Sequence, residues 1–483
     1  NVFKLSFGTL IAQAIGIAVA PILSRLFAPE AFGALGLFTS ITGVIGAVAC
    51  LRYDLAIMLP REDKQALNLL VGSVLFAALV SLLCAICIGM AGNHLMRLFN
   101  AGQLSEYIWL IPLMVFLVGC FSAANYWYSR TQDFGKLVVM RLINSLSTNF
   151  LKVFMGLSGY LGGSILILAT FIGQLITTLI VSIKMGFSDR TFFKNSFDLK
   201  EIFNLVYRYR RFPQYEVWSG ILVDLSLKLP IFMIAYFFSQ KELGYFVFVQ
   251  AVVRVPFNIV GESISKVFYQ KATNIRDNIG EMSGWIENVF YFLTTFCMLP
   301  ALIVSIIGID IFNLVFVPNW TEAGIYAQIL IFAILVEFIT APIGSLFNVL
   351  EKQKEALHFN IGLMLLRFTA LVIGGLTGKI LMTIFIFVIA DIIGRIIKFA
   401  YIFKQSNFRT SKAFGIFVKA LLCAAPFLIC LIILKYAVNF SALANICFAV
   451  LLIIVNYFVM MHKNHFFKTQ IAKRSVKTSE VSK

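Results

Sequence analysis

The sequence predicts an all-α, polytopic membrane protein of about fourteen transmembrane helices, in two pseudo-symmetric six-helix lobes followed by two C-terminal helices. Three observations lead there. Of 483 residues, 60% are hydrophobic and 13% charged, with a mean hydropathy of +0.90; a soluble domain carries about 25% charged residues. Apolar stretches of about 20 residues, the length that crosses the hydrocarbon core, recur along the whole chain. Two turns in the first half also have counterparts in the second.

The spans are read in order from their flanking charges and turns. The first, 5–26, lacks the small-residue cleavage pattern of a removed signal peptide. The second, 32–51, ends where Arg52 and Asp54 break the apolar run, and the third, 67–90, follows the cluster Arg61, Glu62, Asp63 and Lys64. Next come 107–128, 137–156 and 163–184, which complete an N-lobe of residues 1–184. A basic linker, 185–214, leads to a C-lobe over 215–402 with spans at 215–238, 243–266, 286–308, 324–348, 358–376 and 379–402. Spans thirteen and fourteen, 414–435 and 442–462, occupy 403–462, and a basic tail covers 463–483. The only other connection above about 20 residues is near 267–285, and none is long enough for a soluble domain.

Lys and Arg set the orientation, because positive loops stay in the cytoplasm. One set of alternate loops holds Arg61 and Lys64; Arg130 and Lys136; Arg190, Lys194, Lys200, Arg208, Arg210 and Arg211; Lys271 and Arg276; Lys352 and Lys354; Lys404, Arg409 and Lys412; and the tail. The opposite set is nearly limited to Arg97, Lys241, Lys379 and Lys435. Both termini are therefore expected in the cytoplasm, and the formal charge of +17 is mostly this topological signal. Nucleic-acid binding is excluded because no basic soluble module exists. All eight cysteines lie in spans, where packing accounts for them. No His, Cys or carboxylate pattern forms a metal, cofactor or catalytic site, so none is expected, and the chain is not read as an enzyme.

The internal repeat carries the architecture. "RLFAPEAFGALGLF" after span one parallels "AYFFSQKELGYFVF" after span seven, with Gly33 and Gly244 opening the next helices at an offset of about 211 residues. "YSRTQDFGK" from Tyr128 parallels "VLEKQKEAL" from Val349 at about 221. Duplicated membrane halves are the signature of transporters that rock about a central site.

Charges in mid-span are costly and face a cavity or a partner. Arg52 closes span two, and Arg141 and Lys152 lie in span five. Asp224 and Lys228 sit four apart on span seven, on one face. Arg254 and Glu262 lie about two turns apart on span eight. Glu337, Arg367 and Asp391 fall near the middles of spans ten, eleven and twelve, as structural pairs or cavity lining. Arg grips phosphate with a planar fork that keeps its charge. Arg52, Lys228, Arg254 and Arg367 therefore form the candidate basic cavity, suited to an amphiphile with an anionic head.

"LFAPEAFGALGLFTSI" and "LRYDLAIMLPREDKQALNLL" resemble the Wzx-type O-antigen or capsule flippases, the polysaccharide-exporter branch of the multidrug/oligosaccharidyl-lipid/polysaccharide exporter superfamily. The resemblance covers spans one to twelve. "VVRVPFNIVG" is also similar to an Arg-then-Pro stretch of lipid II flippases and points at Arg254. It implies two lobes in a V shape in the bacterial inner membrane. It further implies alternating access that carries undecaprenyl-diphosphate-linked oligosaccharide from the cytoplasmic to the periplasmic leaflet. Arg52 would contact the diphosphate or gate the mouth. Membrane lipids and other polysaccharide-assembly membrane proteins are the implied partners. Further arginines of the lipid II flippase pattern are missing from span one, so a lipid II or other lipid-linked glycan flippase is the alternative within the same class. Two other readings stay open. A multidrug exporter should have an acidic cavity, and a membrane glycan polymerase or transferase a sizeable periplasmic loop. Uphill flipping needs an energy source, and no GxxxxGK[ST] phosphate loop occurs. An ion gradient remains, with Asp224 as the candidate carrier.

Overall fold

The computed structural model describes residues 2–100, 102–159, 162–188, 198–276, 278–438 and 440–463. Parts of the basic linker and tail, with Arg190 and Lys194, lie outside the described residues, as does the side chain of Glu262. The described residues form helices and turns without strands. They include α1 (Val2–Leu26), α2 (Pro29–Gly46), α3 (Tyr53–Ala56), α4 (Asp63–Leu98), α5 (Leu110–Arg130), α6 (Phe134–Leu157), α7 (Gly163–Ser188) and α8 (Leu199–Arg208). There follow α9 (Val217–Phe237), α10 (Gln240–Val249), α11 (Val255–Asn274), α12 (Ile279–Phe316), α13 (Thr321–Thr340) and α14 (Leu346–Val349). The chain continues with α15 (Gln353–Leu376), α16 (Ile380–Gln405), α17 (Thr410–Tyr436) and α18 (Ala442–Lys463).

Among the described residues, eleven helices are long and apolar enough to cross a membrane. The other three expected spans fall on α2, which is 18 residues long, on α10 and α11 with a π-helical turn at Gln250–Arg254 between them, and on α18, whose apolar stretch is Ala442–Phe458. The segment expected as a loop near 267–285 is largely helix, because α11 runs to Asn274 and α12 starts at Ile279. The 185–214 linker likewise holds a helix, α8.

Contacts divide the chain into two compact units, one of residues 1–255 and 364–387, the other of 256–363 and 388–483. In the first, α1 packs on α6, α6 on α7, α4 on α5, and α2 on α10. The α2–α10 contact joins the two repeated turns. A Cβ on Gly33 would lie 2.1 Å from the Gln240 carbonyl oxygen, and one on Gly244 would lie 1.8 Å from that of Pro29. The offset of 211 residues maps both Pro29 onto Gln240 and Gly33 onto Gly244, so the contact is reciprocal. The two helix starts solve their unpaired N–H groups differently. Pro29 sits at the first turn of α2, where the N–H it lacks would have had no partner, whereas Ser239 and Glu242 form a capping box on α10.

The second repeated turn is also present, in a register shifted by two residues. Gln132 (φ 56°) and Glu351 (φ 57°) are left-handed, and each is followed by a backbone bond across five residues, Asp133 N to Tyr128 O (3.0 Å) and Lys352 N to Phe347 O (2.7 Å). This helix-ending motif aligns 132 with 351, an offset of 219. Arg130, beside the first of these turns, holds the Arg61–Lys64 patch in place. It donates to the carbonyls of Ile57 (3.1 Å) and Pro60 (2.7 Å) and to Asp63 Oδ1 (3.0 Å).

In the second unit α12 is the spine, packed by α13, α17 and α18. It contains Pro300 and a non-helical residue, Ile307 (φ −109°, ψ 16°). Pro300 lacks the N–H that would pair with the Phe296 carbonyl; Tyr457 Oη from α18 donates to it at 3.2 Å. At the Ile307 kink, the Ile306 carbonyl accepts from Gln328 Nε2 (3.1 Å) and Lys435 Nζ (2.8 Å), and Lys435 also pairs with Asp310 (2.9 Å). Side chains thus repair the backbone wherever α12 breaks.

The reciprocal glycine contact gives a stability prediction. Gly33→Ala and Gly244→Ala each force a methyl against a carbonyl oxygen and should destabilise by about 1–3 kcal/mol. Gly16→Ala, with nothing within 4 Å of its added Cβ, should be neutral or stabilising. Thermal unfolding of the purified variants checks this; equal behaviour of all three would refute the packing account.

Candidate functional site

Of the candidate charges in the first unit, Asp224 and Lys228 lie on α9 and Arg52 lies against it, and the local chain explains why. After α2 ends at Gly46, Leu51 (φ 47°) and Arg52 (φ 62°) both adopt left-handed backbone. Two consecutive non-glycine residues in this region are disfavoured and turn the chain sharply into α3. The turn throws the Arg52 guanidinium onto α9 at Gly220, where a Cβ would lie 2.0 Å from Nη2. Only hydrogen at that position leaves room for the guanidinium. One turn further along α9, Asp224 Oδ2 lies 4.0 Å from Arg52 Nη2, and both side chains are partly exposed. Arg52 Nε is buried with no hydrogen-bond partner among the described residues.

Asp54, on the same turn, is buried. Its Oδ2 accepts from Ser122 Oγ of α5 at 2.6 Å, while Oδ1 has no partner among the described residues. Arg52 therefore stands near two carboxylates, Asp224 at 4.0 Å and Asp54 two residues on in its own turn.

Lys228 lies one turn beyond Asp224, within electrostatic reach of Asp224 and of Arg254. Asp224 pairs with Arg52 at 4.0 Å, so its ion pair reaches across the fold rather than along one helix. Arg254 closes the π-helical turn, where its Nη1 lies 3.4 Å from Gln250 Oε1. Such turns widen the helix and re-aim a side chain.

Arg367, on α15, meets α9 at Ser226, between Asp224 and Lys228. Its Nη1 donates to Ser226 Oγ (3.2 Å) and to the Ser226 carbonyl (3.4 Å). The sequence explains the second bond. Pro230 lies inside α9 and has no N–H for the carbonyl four residues back, which is that of Ser226. Arg367 is thus the repair of a proline break as well as a cation of the cluster.

Arg52 meets α9 beside Asp224, Lys228 follows one turn on along the same helix, and Arg367 binds Ser226 between them, with Arg254 within electrostatic reach of Lys228. An anion with several oxygens would meet guanidinium donors that are held in place beforehand, the arrangement that favours phosphate groups. The sequence singled out the four cations and Asp224 one by one. Asp54 and Gly220 were not among the candidates; the Arg-Tyr-Asp spacing is the signal for the first, and nothing local signals the second.

In the second unit Glu337 and Asp391 share one guanidinium. Arg395 Nε lies 2.8 Å from Asp391 Oδ2 and its Nη2 3.3 Å from Glu337 Oε2. Asp391 and Arg395 are four apart on α16, a spacing legible in "DIIGR", yet Arg395 was not a candidate. This triad is tight and largely buried, unlike the open 4.0 Å pair at Arg52.

A family model described as "Polysaccharide biosynthesis protein" matches residues 22–324. Among solved structures, the lipid II flippase MurJ in an inward closed conformation has a TM-score of 0.71 at 12% identity, covering 96% of this chain and 99% of that chain. An inward-facing multidrug resistance MATE family transporter of the MOP superfamily has a TM-score of 0.60 at 16% identity, covering 83% and 94%. A MOP superfamily transporter from Pyrococcus furiosus, described as having a binding pocket of reverse polarity, has a TM-score of 0.53 at 15% identity, covering 84% and 95%. At these identities the likeness is one of fold. No curated protein sequence matches significantly.

The two charge clusters should answer mutation differently. Arg395→Met leaves two buried carboxylates facing one another and should destabilise by about 3–5 kcal/mol. Asp224→Asn, at a looser and more exposed pair, should change stability by no more than about 1 kcal/mol. Denaturant unfolding in detergent measures both, and an intact Arg395→Met protein would overturn the structural reading of the triad.

Proposed function

Since this chain belongs to the polysaccharide biosynthesis protein family and has the fold of MOP superfamily transporters, we propose that it is a flippase for a lipid-linked oligosaccharide. Its substrate is an undecaprenyl-diphosphate-linked O-antigen or capsule repeat unit, moved from the cytoplasmic to the periplasmic leaflet of the bacterial inner membrane by alternating access. The observation that supports the proposal is the placement of Arg52 and Arg367 against α9 beside Asp224, Ser226 and Lys228. A diphosphate needs several fixed donors and a net positive field, and a lipid-linked one must find them within membrane-spanning helices. The excess of cations over carboxylates argues against a carrier of cationic drugs.

In this reading the two lobes, 1–184 and 215–402, rock about the site, and both termini and the 185–214 linker face the cytoplasm. Coupling runs through Asp224. The diphosphate competes for Arg52, the ion-pair partner of Asp224, and Asp224, released, takes a proton or Na⁺ from the gradient. Glu262, Glu337 and Asp391 are not assigned to substrate.

A leaflet assay on a labelled lipid-linked sugar in proteoliposomes tests the proposal. Arg52→Ala and Arg254→Ala should each lose about tenfold to 150-fold in affinity, the worth of one charge-assisted bond at about 1.5–3 kcal/mol, and Arg254→Lys should recover part. Gly220→Ala, which displaces the Arg52 guanidinium without removing a charge, should resemble Arg52→Ala at normal stability. Asp224→Asn should abolish gradient-driven accumulation and leave equilibration between leaflets. Wild-type flipping by both arginine variants would end the diphosphate assignment, and labelling of Lys200→Cys from the periplasm would overturn the orientation.

A further inference from the structure

Helix α8 has three faces. At about 100° per residue, Ile202 and Leu205 share the side that is buried. They lie against α4, where Gly72 leaves a gap for Ile202 and Val206. A second stripe, Leu199, Phe203 and Tyr207, recurs at i, i+4 and i+8 and is 56%, 72% and 69% exposed. Lys200, Asn204 and Arg208 make the third, polar face. The chain then reads "YRYRRF" from Tyr207, with Arg210 over the Tyr207 ring at 4.4 Å and Arg208 over that of Tyr209 at 5.5 Å. Among the described residues, Lys200, Arg208, Arg210 and Arg211 make no ion pair. Tyr215 and Trp218, 69% and 65% exposed, follow at the start of the next span.

An apolar stripe flanked by cations and aromatic rings, beside a membrane span, has the composition of a segment that lies in the headgroup region. Water would leave Leu199 and Phe203 exposed at a cost, and the hydrocarbon core would not accept the four cations. The interface satisfies both.

This segment is also bolted to the Arg52 turn. Tyr53 Oη donates to the Val206 carbonyl at 3.0 Å, and Tyr53 is the residue after Arg52. Its ring is buried and stacked on Phe76 at 5.0 Å. Asn68 fixes the other end of α8, accepting from Asp198 N (3.0 Å) and reaching Glu201 Oε2 (3.4 Å).

We propose that α8 and the tract 207–212 bind the anionic phospholipid headgroups of the adjoining leaflet, and that the Tyr53–Val206 bond passes this docking to the Arg52 turn. The role of Arg52 rests on the function proposed above, but headgroup binding and its effect on the turn are read without transport. Each basic residue at an anionic surface strengthens attachment roughly fivefold, so the dependence on headgroup charge should be steep and screened by salt.

The test uses the full chain in nanodiscs that hold phospholipid and no lipid-linked sugar, which separates headgroups from substrate diphosphate as the source of phosphate. A fluorophore on Phe203→Cys in a cysteine-free background reports contact with a shallow doxyl quencher. Quenching should appear with phosphatidylglycerol, weaken with salt, and disappear in Arg208→Gln/Arg210→Gln/Arg211→Gln. Hydrogen exchange of residues 51–56 should slow with phosphatidylglycerol in the parent, and Tyr53→Phe should lose that response while keeping the quenching. Equal quenching in neutral and anionic discs, or none in either, overturns headgroup recognition. Identical exchange of 51–56 in both lipids overturns the link to Arg52. Neither outcome depends on flipping, so the transport proposal stands or falls separately.

Discussion

A backbone carbonyl cannot be left unpaired in hydrocarbon, and the placement of several key side chains in this protein answers that constraint. Long spanning helices satisfy it by themselves until something breaks them. Pro230 frees the carbonyl of Ser226, and Arg367 takes it. Pro300 frees that of Phe296, and Tyr457 takes it. The kink at Ile307 leaves the carbonyl of Ile306 to Lys435 and Gln328. Each repair ties two helices together at the one place where the main chain is weakest. The breaks are therefore also the joints by which α15 is fastened to α9, and α17 and α18 to α12.

The same economy shapes the charges. Arg395 is enclosed by Asp391 and Glu337 at short range, so its field is spent locally. Among the described residues, Arg52 has one distant ion pair, an Nε without a hydrogen-bond partner and a glycine beneath it. A guanidinium with donors left over can accept an anionic guest; one already saturated by two carboxylates holds structure. That contrast, more than the number of charges in the spans, separates the candidate site from the structural triad. It also explains why Arg52 is presented from a doubly left-handed turn: a straight helix end would not lay the guanidinium across Gly220.

The repeated turns show how a duplicated sequence closes on itself. Pro29 and Gly33 meet Gln240 and Gly244 reciprocally, carbonyl against glycine, and no larger residue fits either place. The other repeat keeps its geometry through a left-handed residue at 132 and 351 and a backbone bond spanning five residues. Here side-chain identity differs completely, since Gln132 corresponds to Glu351, and the conserved quantity is the path of the main chain.

Much of this was legible beforehand. Hydropathy located the helices, because each span must be apolar over about 20 residues whatever it packs against. The glycines of the first repeat and the cations in mid-span stood out for the same reason, as costly departures from an apolar run. Local spacing was less reliable. Asp224 and Lys228 sit four apart, yet Arg52, 172 positions earlier, is the residue that forms an ion pair with Asp224. The second repeat differs by two residues between its letters and its backbone, because the dihedral angles at 132 and 351 are what repeats. Arg395, four residues from Asp391, was overlooked although its spacing was local, whereas Gly220 and the Tyr53–Val206 bond carry no local signal at all. The sequence alone determined what the chain is dissolved in and where it must cross, since those follow from the composition of single segments. Which charge answers which was decided by the tertiary structure, because in a low-dielectric interior partners are chosen by separation in space, and separation in space is set by how helices distant in sequence pack.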